Sequence, residues 1–176
     1  MDVTTAAFLF ALLLPGSPAS TGDLHPTFCL CNVVIDGGRA SLCSPTPVSH
    51  RRQTEIERQL DLALRLYPWF ARKAGLTPSN EQHVLRIYLL PVAVLNDHSI
   101  FTAPITGRIV GRYTRGRHHI YVTPEMFTRA GATDLAHEVA HYGNDTAGVP
   151  LDGLHTDRDE RLAMAFEDFV VSSSDR

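Results

Sequence analysis

The sequence contains no apolar run long enough to cross a lipid bilayer. The apolar stretch at residues 6–14 is far shorter than the roughly 20 residues that a transmembrane helix needs. It has the length of a signal-peptide core, and a proline and several small residues follow it. The segment before it carries Asp2 and no Lys or Arg, which is unusual for a signal peptide. We predict a secreted or periplasmic protein in which residues 1–20 are a signal peptide cleaved near Ala19, with no stable membrane span after processing.

The sequence also lacks the basic excess of a nucleic-acid-binding protein. Its 16 Lys and Arg residues are outnumbered by 19 Asp and Glu residues, which gives a formal net charge of −3 and a pI near 6.3. A general nucleic-acid binder normally has the opposite balance, so we expect no nucleic-acid partner. With 44% hydrophobic and 20% charged residues, the 176 positions are typical of one soluble globular domain.

Cysteine is scarce, and all three residues lie near the start: Cys29, Cys31 and Cys43. In an exported protein we expect one disulfide, between Cys43 and either Cys29 or Cys31, which leaves one thiol. The alternative is a three-thiolate metal site with a nearby histidine. A C-x-C pair followed by one distant cysteine is a poor zinc spacing, so the disulfide is favoured.

The apolar patterns predict an α+β fold with a small mixed sheet of three strands. Residues 54–73 place apolar side chains at three-to-four spacing, which predicts an amphipathic helix whose last turns are bent or ended by Pro68. Alternating β-forming residues predict a strand over residues 83–92. Two shorter runs, 107–114 and 118–123, flank a turn and predict a hairpin.

Two further helices are predicted in the last third of the chain. The first is capped by Thr133 or Asp134 and ends near Gly143. The second follows a loop with glycine and proline, and Thr156 with Asp159 forms a capping box at its start. The predicted organisation is residues 1–20 as signal peptide, 21–53 as a Cys- and Pro-containing N-terminal segment, and 54–176 as the functional domain.

The first of these helices carries the stretch DLAHEVAHYGND, residues 134–145. His137 and His141 lie four positions apart, so a helix presents both imidazoles on one face, where one zinc ion can bind them. Glu138 lies about 100° around the helix from His137 and reaches a water on the metal without binding the metal. Metal-assisted peptide hydrolysis needs this arrangement, because the carboxylate takes a proton from the water and passes it to the leaving amine. The alternative, in a chain with nine histidines, is a chance match in a structural protein without metal.

A catalytic zinc site needs a third protein ligand. One class of protease takes it from the extended motif H-E-x-x-H-x-x-G-x-x-H, but here Asn144 stands at the glycine position and Ala147 at the last ligand position. That class is excluded, and a carboxylate from the following helix remains. Glu160 lies 19 residues after the second histidine. Glu167 shares almost the same helical face, and Asp159 is a further candidate although its position favours capping.

At this point the sequence resembles the gluzincins, the H-E-x-x-H zinc metallopeptidases whose third ligand is a glutamate on the next helix. ERLA at residues 160–163, followed by Phe166, is similar to the E-x-x-A-x-x-F signature of small single-domain members such as the ImmA/IrrE-type peptidases. The upstream VGRYTRGRHHIYVTP is similar as well. The resemblance covers about residues 54–172. It implies a minimal zincin-like domain in which an edge strand lines the cleft and can pair with an extended substrate.

The resemblance implies a zinc-dependent metallopeptidase that acts on a peptide or protein substrate, as a monomer. His137, His141 and Glu160 would bind Zn²⁺, and Glu138 would activate the zinc-bound water. The aspartate that larger gluzincins carry four residues after the ligand glutamate is here Met164. We also expect no counterpart of their helical C-terminal domain. The alternative is therefore a catalytically weak or inactive zinc-binding domain that acts as an interaction module.

Several other polar residues are weaker candidates. His118 and His119 are neighbours on a predicted strand, so their side chains point to opposite faces and do not share one ion. His155, Tyr142 and Tyr113 are possible donors to a tetrahedral oxyanion. A polar residue in a loop or strand needs no catalytic role, so each of these is a secondary candidate.

Overall fold

A mixed β-sheet and the helices packed against it make up the part of the chain that the computed structural model describes, namely residues 30–35, 38–79, 83–97, 111–127, 134–150 and 157–174. The strands in these ranges are β1 (Leu30–Ile35), β2 (Ala40–Ser44), β3 (Leu85–Leu89), β4 (Gly111–Thr114) and β5 (His119–Val122). The helices are α1 (His50–Lys73), the short α2 (Val92–Leu95), α3 (Asp134–Thr146) and α4 (Asp157–Ser174), with a 3₁₀ turn at Pro124–Phe127.

The sheet has the strand order β1-β2-β3-β5-β4. The two outer pairs, β1 with β2 and β4 with β5, are antiparallel, and β3 runs parallel to both of its neighbours. Helix α1 makes the crossover from β2 to β3 that a parallel pair requires. The predicted α+β class with a small mixed sheet is thus confirmed, and among the described strands β4 lies at the edge of the sheet.

The predicted number of three strands is wrong, because β1 and β2 also belong to the sheet. A register shift between Leu30 and Val33 interrupts the pairing of β1. Its sequence LCNVVI also does not alternate apolar and polar residues in the way that predicts a strand. The signal-peptide prediction for residues 1–20 lies outside the described ranges, and the boundary at residue 54 stays a prediction.

The sheet has a different core on each face. Successive residues of β3 point to opposite sides, so Ile87 and Leu89 pack beneath α1, α3 and α4. Tyr88 points the other way and stacks on Tyr121, with their ring centroids 4.9 Å apart, beside Cys43. The larger core on the helical face positions the site described below.

Cys43 is disulfide-bonded. Since the chain has three cysteines, the partner is Cys29 or Cys31, and the predicted disulfide is present. Cys31 belongs to β1, which pairs with the strand that contains Cys43, whereas Cys29 lies outside the described ranges. The alternative of a three-thiolate metal site is excluded, because a cysteine in a disulfide has no thiolate to offer.

Helix α1 does not end at Pro68 but continues to Lys73. Proline removes one backbone hydrogen bond and disfavours a helix interior. The buried side chains of Tyr67 and Phe70 on either side of Pro68 pack into the core, and this packing outweighs the local preference. No helix in the described ranges is both long and apolar enough to span a membrane.

Helix α3 contacts both α1 and α4, as well as β4. It continues past Gly143, the residue at which the sequence predicts its end, as far as Thr146. A Cβ atom at Gly143 would lie 2.2 Å from Cε1 of Tyr67, so this glycine lets α1 and α3 approach each other closely. The close approach, rather than a helix cap, is what requires glycine here.

Candidate metal centre

Helices α3 and α4 bring together the three predicted ligands His137, His141 and Glu160. One ligand atom from each lies within 4.8 Å of the other two. The two Nε2 atoms are 3.1 Å apart, and the Glu160 carboxylate oxygens lie 3.2 Å from His137 Nε2 and 3.4 Å from His141 Nε2. Tetrahedral bonds to zinc of about 2.0–2.1 Å would separate such atoms by about 3.3 Å. The donor set and its spacing therefore fit a zinc ion.

The other ring nitrogens of the two histidines face carboxylates on α4. His141 Nδ1 lies 2.8 Å from Asp159 Oδ2, and His137 Nδ1 lies 3.5 Å from Glu167 Oε2. A carboxylate behind a histidine favours the tautomer with a proton on Nδ1 and leaves the lone pair of Nε2 free for a metal. Both Nε2 atoms then act as acceptors that converge on Glu160, an arrangement that favours a cation between them.

Asp159 and Glu167 thus lie behind the histidines. They do not belong to the convergent group, which consists of His137, His141 and Glu160. Glu160 follows Asp159 by one position on α4 and therefore points in a different direction, toward the Nε2 atoms and not the Nδ1 side of the histidine pair. The side chain of Asp159 contacts His141 and Asn144, and its predicted capping role stays a prediction. Thr156, the other half of the predicted capping box, lies outside the described ranges.

The charges of the convergent group are strongly coupled when no cation is present. Burial lowers the pKa of His141, but hydrogen bonds with Asp159 and Glu160 outweigh it and raise the pKa to about 10. Hydrogen bonds with His137 and His141 hold the pKa of Glu160 well below its usual range. A proton therefore occupies the group in the absence of metal, and a metal ion must displace it.

Glu138 is one residue from a ligand but does not belong to the convergent group. Its side chain is only 6% exposed. Burial raises the pKa of Glu138 to about 7, even though the neighbouring histidines act in the opposite direction. A carboxyl group with a pKa near 7 both accepts and releases a proton at ordinary pH, as a general base must.

Asn144 and Tyr67 lie behind Asp159. The Asn144 amide donates to Asp159 Oδ1 at 2.7 Å, and the Tyr67 hydroxyl donates to Asn144 Oδ1 at 2.7 Å. Neither residue is marked by the sequence motif. The only available signal is that Asn144 lies seven residues after His137 and three after His141, on the helix face toward α4.

The secondary candidates lie elsewhere. His119 packs against Tyr88 and Tyr121 on the face of the sheet away from α3. His118 stacks on His83, with ring centroids 4.1 Å apart, and contacts Tyr142 of α3. The two histidines thus face opposite sides, and neither joins the convergent group.

Tyr113, a further secondary candidate, is held by the end of α3. Its hydroxyl donates to Asp145 Oδ2 at 2.8 Å, and Arg115 Nε lies 2.7 Å from Asp145 Oδ1. His155, the last of the secondary candidates, lies outside the described ranges. Tyr113 and Tyr142, the two described candidates for an oxyanion donor, thus make contacts within the fold. The role of oxyanion donor stays a prediction for both.

Comparison with known proteins adds no relative, since no family model, curated protein or solved structure matches the chain.

Proposed function

We propose that this protein is a zinc-dependent metallopeptidase of the gluzincin type, with a minimal zincin-like domain. The convergence of His137, His141 and Glu160, with the buried carboxyl group of Glu138 beside them, is the observation that carries the proposal. Two nitrogens and one carboxylate leave the open position that a catalytic zinc site keeps, whereas structural sites use four protein ligands.

Zinc bound by these residues would supply a water of lowered pKa and polarise the scissile carbonyl group. Glu138 would accept a proton from the attacking water and transfer it to the nitrogen of the leaving amine. Asp159 would hold the ring of His141 through its Nδ1 proton, a task for which position 164 offers only a methionine.

Strand β4 supports, by its position in the described sheet, the proposal that the substrate is a peptide. It is the last strand in the order of the sheet and pairs with β5 on one side. An extended peptide can add to such an edge through backbone hydrogen bonds. The hairpin that contains β4 is tied to α3, the helix that carries both histidines, which fixes the edge relative to the proposed ligands.

The disulfide at Cys43 supports an exported location, because disulfides persist mainly in oxidising compartments. We therefore propose a secreted or periplasmic location for the enzyme. We also propose that it acts on a peptide or protein as a monomer.

The test combines metal analysis with cleavage of a peptide library. Wild-type protein should contain about one zinc per chain, and His141→Ala should lose it. Glu138→Gln should keep the zinc and lose peptide cleavage by about 10²–10⁴-fold, since only the proton acceptor is removed. Glu57→Gln on α1 is the matched control and should keep both.

Two results would overturn the proposal. Protein without bound metal after exposure to zinc would exclude a metal centre, and full activity of Glu138→Gln would exclude its role as the base. Zinc binding without cleavage of any peptide would favour the interaction module instead.

A further inference from the structure

A buried chain of hydrogen bonds runs from α1 through α3 to α4 and returns to His141. The Tyr67 hydroxyl bonds Asn144 Oδ1 at 2.7 Å, Asn144 Nδ2 bonds Asp159 Oδ1 at 2.7 Å, and Asp159 Oδ2 bonds His141 Nδ1 at 2.8 Å. The first three of these residues are each less than 9% exposed. Water therefore does not compete for these bonds, and each partner depends on the next.

In this chain of hydrogen bonds, the chemistry of the side chains fixes which group donates and which accepts at each bond. The hydroxyl of Tyr67 can donate to the oxygen of Asn144, and the amide nitrogen of Asn144 then has to point at Asp159. The flipped amide would place its oxygen against a carboxylate, which is unfavourable. Both oxygens of Asp159 are thereby assigned, one to Asn144 and the other to the Nδ1 proton of His141.

The backbone is built to let Tyr67 reach Asn144. The ring of Tyr67 lies against Gly143, where a Cβ atom would approach Cε1 to 2.2 Å. On its other side the ring packs edge-on against Phe166 of α4, with centroids 5.4 Å apart. The tyrosine is thus held between α3 and α4 with its hydroxyl in one position.

We infer that Tyr67 and Asn144 are positioning residues of the metal centre, which act through Asp159 on the orientation and tautomer of His141. This inference rests on the proposed metal site but not on peptide hydrolysis. Without the tyrosine hydroxyl the oxygen of Asn144 loses its donor, the amide is fixed on one side only, and Asp159 and His141 are held less firmly. The competing interpretation is that the two residues only satisfy each other's polar groups within the core.

Zinc affinity of the full chain, measured by competition with a chromogenic chelator, separates the two interpretations. Tyr67→Phe keeps the ring and removes one oxygen, and we expect it to weaken zinc binding by about 3–10-fold. Asn144→Asp places a carboxylate against Asp159, and we expect a loss of about 10–100-fold. The matched control is Phe70→Leu, on the same helix, next to Tyr67 and Phe166 but outside the chain of hydrogen bonds. It should lower the melting temperature and leave zinc affinity unchanged.

A spectroscopic measurement reports on His141 directly. In zinc-loaded wild-type protein, two-bond ¹H–¹⁵N NMR spectra should show His141 protonated on Nδ1, and the cobalt-substituted protein should give one sharp set of visible bands. In Tyr67→Phe the Nδ1 signal should broaden and the cobalt bands should shift, which loss of core packing in Phe70→Leu should not cause.

The inference is overturned if Tyr67→Phe has wild-type zinc affinity and an unchanged cobalt spectrum, or if Phe70→Leu weakens zinc binding as much. Should Asn144→Asp not fold, Tyr67→Phe alone decides, because it preserves the packing. Protein that binds zinc but cleaves no peptide refutes the peptidase proposal and still allows this test, whereas protein that binds no zinc refutes both.

Discussion

At Glu138 the burial of a carboxyl group makes stability depend on pH. In metal-free protein the pKa of this group rises from its ordinary value of 4.5 to about 7, chiefly through burial. The folded state therefore binds the proton more tightly than the unfolded chain, and the protein loses stability as pH rises from about 4.5 to about 7. Glu138→Gln removes this titration. Between pH 4.5 and pH 8, its free energy of unfolding should rise relative to that of the wild type by on the order of 3 kcal/mol.

Urea unfolding of both metal-free proteins at the two pH values measures this difference. Glu57→Gln is the control on a less buried glutamate and should follow the wild type. Parallel pH dependence of wild type and Glu138→Gln would show that the buried carboxyl group is not the cause.

Gly143 is the second residue whose replacement should change the free energy of unfolding, in this case by lowering it. The added methyl group of Gly143→Ala would lie 2.2 Å from the ring of Tyr67, so two helices must move apart or the ring must turn. Overpacking of this kind costs about 1–3 kcal/mol, despite the better helix propensity of alanine. Chemical denaturation gives the value. If the ring is responsible, the penalty should largely disappear in a Tyr67→Ala background, and an unchanged penalty there would exclude this explanation.

At the scale of elements, Asp145 joins the β4–β5 hairpin to the end of α3. It accepts hydrogen bonds from the Tyr113 hydroxyl and from the backbone N–H of Gly116, each at 2.8 Å, and it pairs with Arg115. Asp145→Ala leaves these donors without their acceptor, so the free energy of unfolding should fall by about 1–3 kcal/mol. Amide hydrogen exchange should accelerate in residues 115–118 before it does in the first turns of α3.

Asp61→Ala is the matched control for Asp145→Ala. Asp61, like Asp145, forms ion pairs, in this case with Arg39 and Arg65. All three of these side chains are more than 40% exposed. Exposed ion pairs contribute about 0–1 kcal/mol, so this variant should be nearly neutral. Equal losses in the two variants would contradict the role assigned to Asp145.

Local patterns predict most of the elements and the ligand pair. The spacing of His137 and His141 is a property of one helix, and the apolar periodicity of residues 54–73 depends only on neighbouring turns. Two features depend on distant contacts, which a local pattern does not contain: whether Pro68 ends α1, which the sequence leaves open, and whether β1 pairs with β2. The same limit applies to the site. Asp159 lies behind His141 because of how α4 packs on α3, and no spacing along the chain encodes that packing.

For the whole molecule, the proposed metal would connect α3 to α4 through side chains of both. A ligand that binds only the folded state stabilises it by mass action, by about 2.7 kcal/mol at 100 times the dissociation constant. Removal of zinc with a chelator should therefore lower the melting temperature, and readdition should restore it. His141→Ala should melt at the same temperature with and without zinc. A wild-type melting temperature that does not respond to zinc would argue against ligands from both helices.

The hydrogen bonds of the site differ in the length of the loop that forms when each of them closes. His141 and Asp159 are 18 residues apart, whereas Tyr67 and Asn144 are separated by 77. Because the entropy cost of loop closure grows with the logarithm of length, the longer loop costs about 1 kcal/mol more to form. During refolding, α3 and α4 can therefore gather the ligands before α1 docks. We therefore expect two phases when refolding in the presence of zinc is followed by stopped flow. Zinc should first bind quickly and with low affinity, and its affinity should then rise more slowly as Tyr67 docks against Asn144.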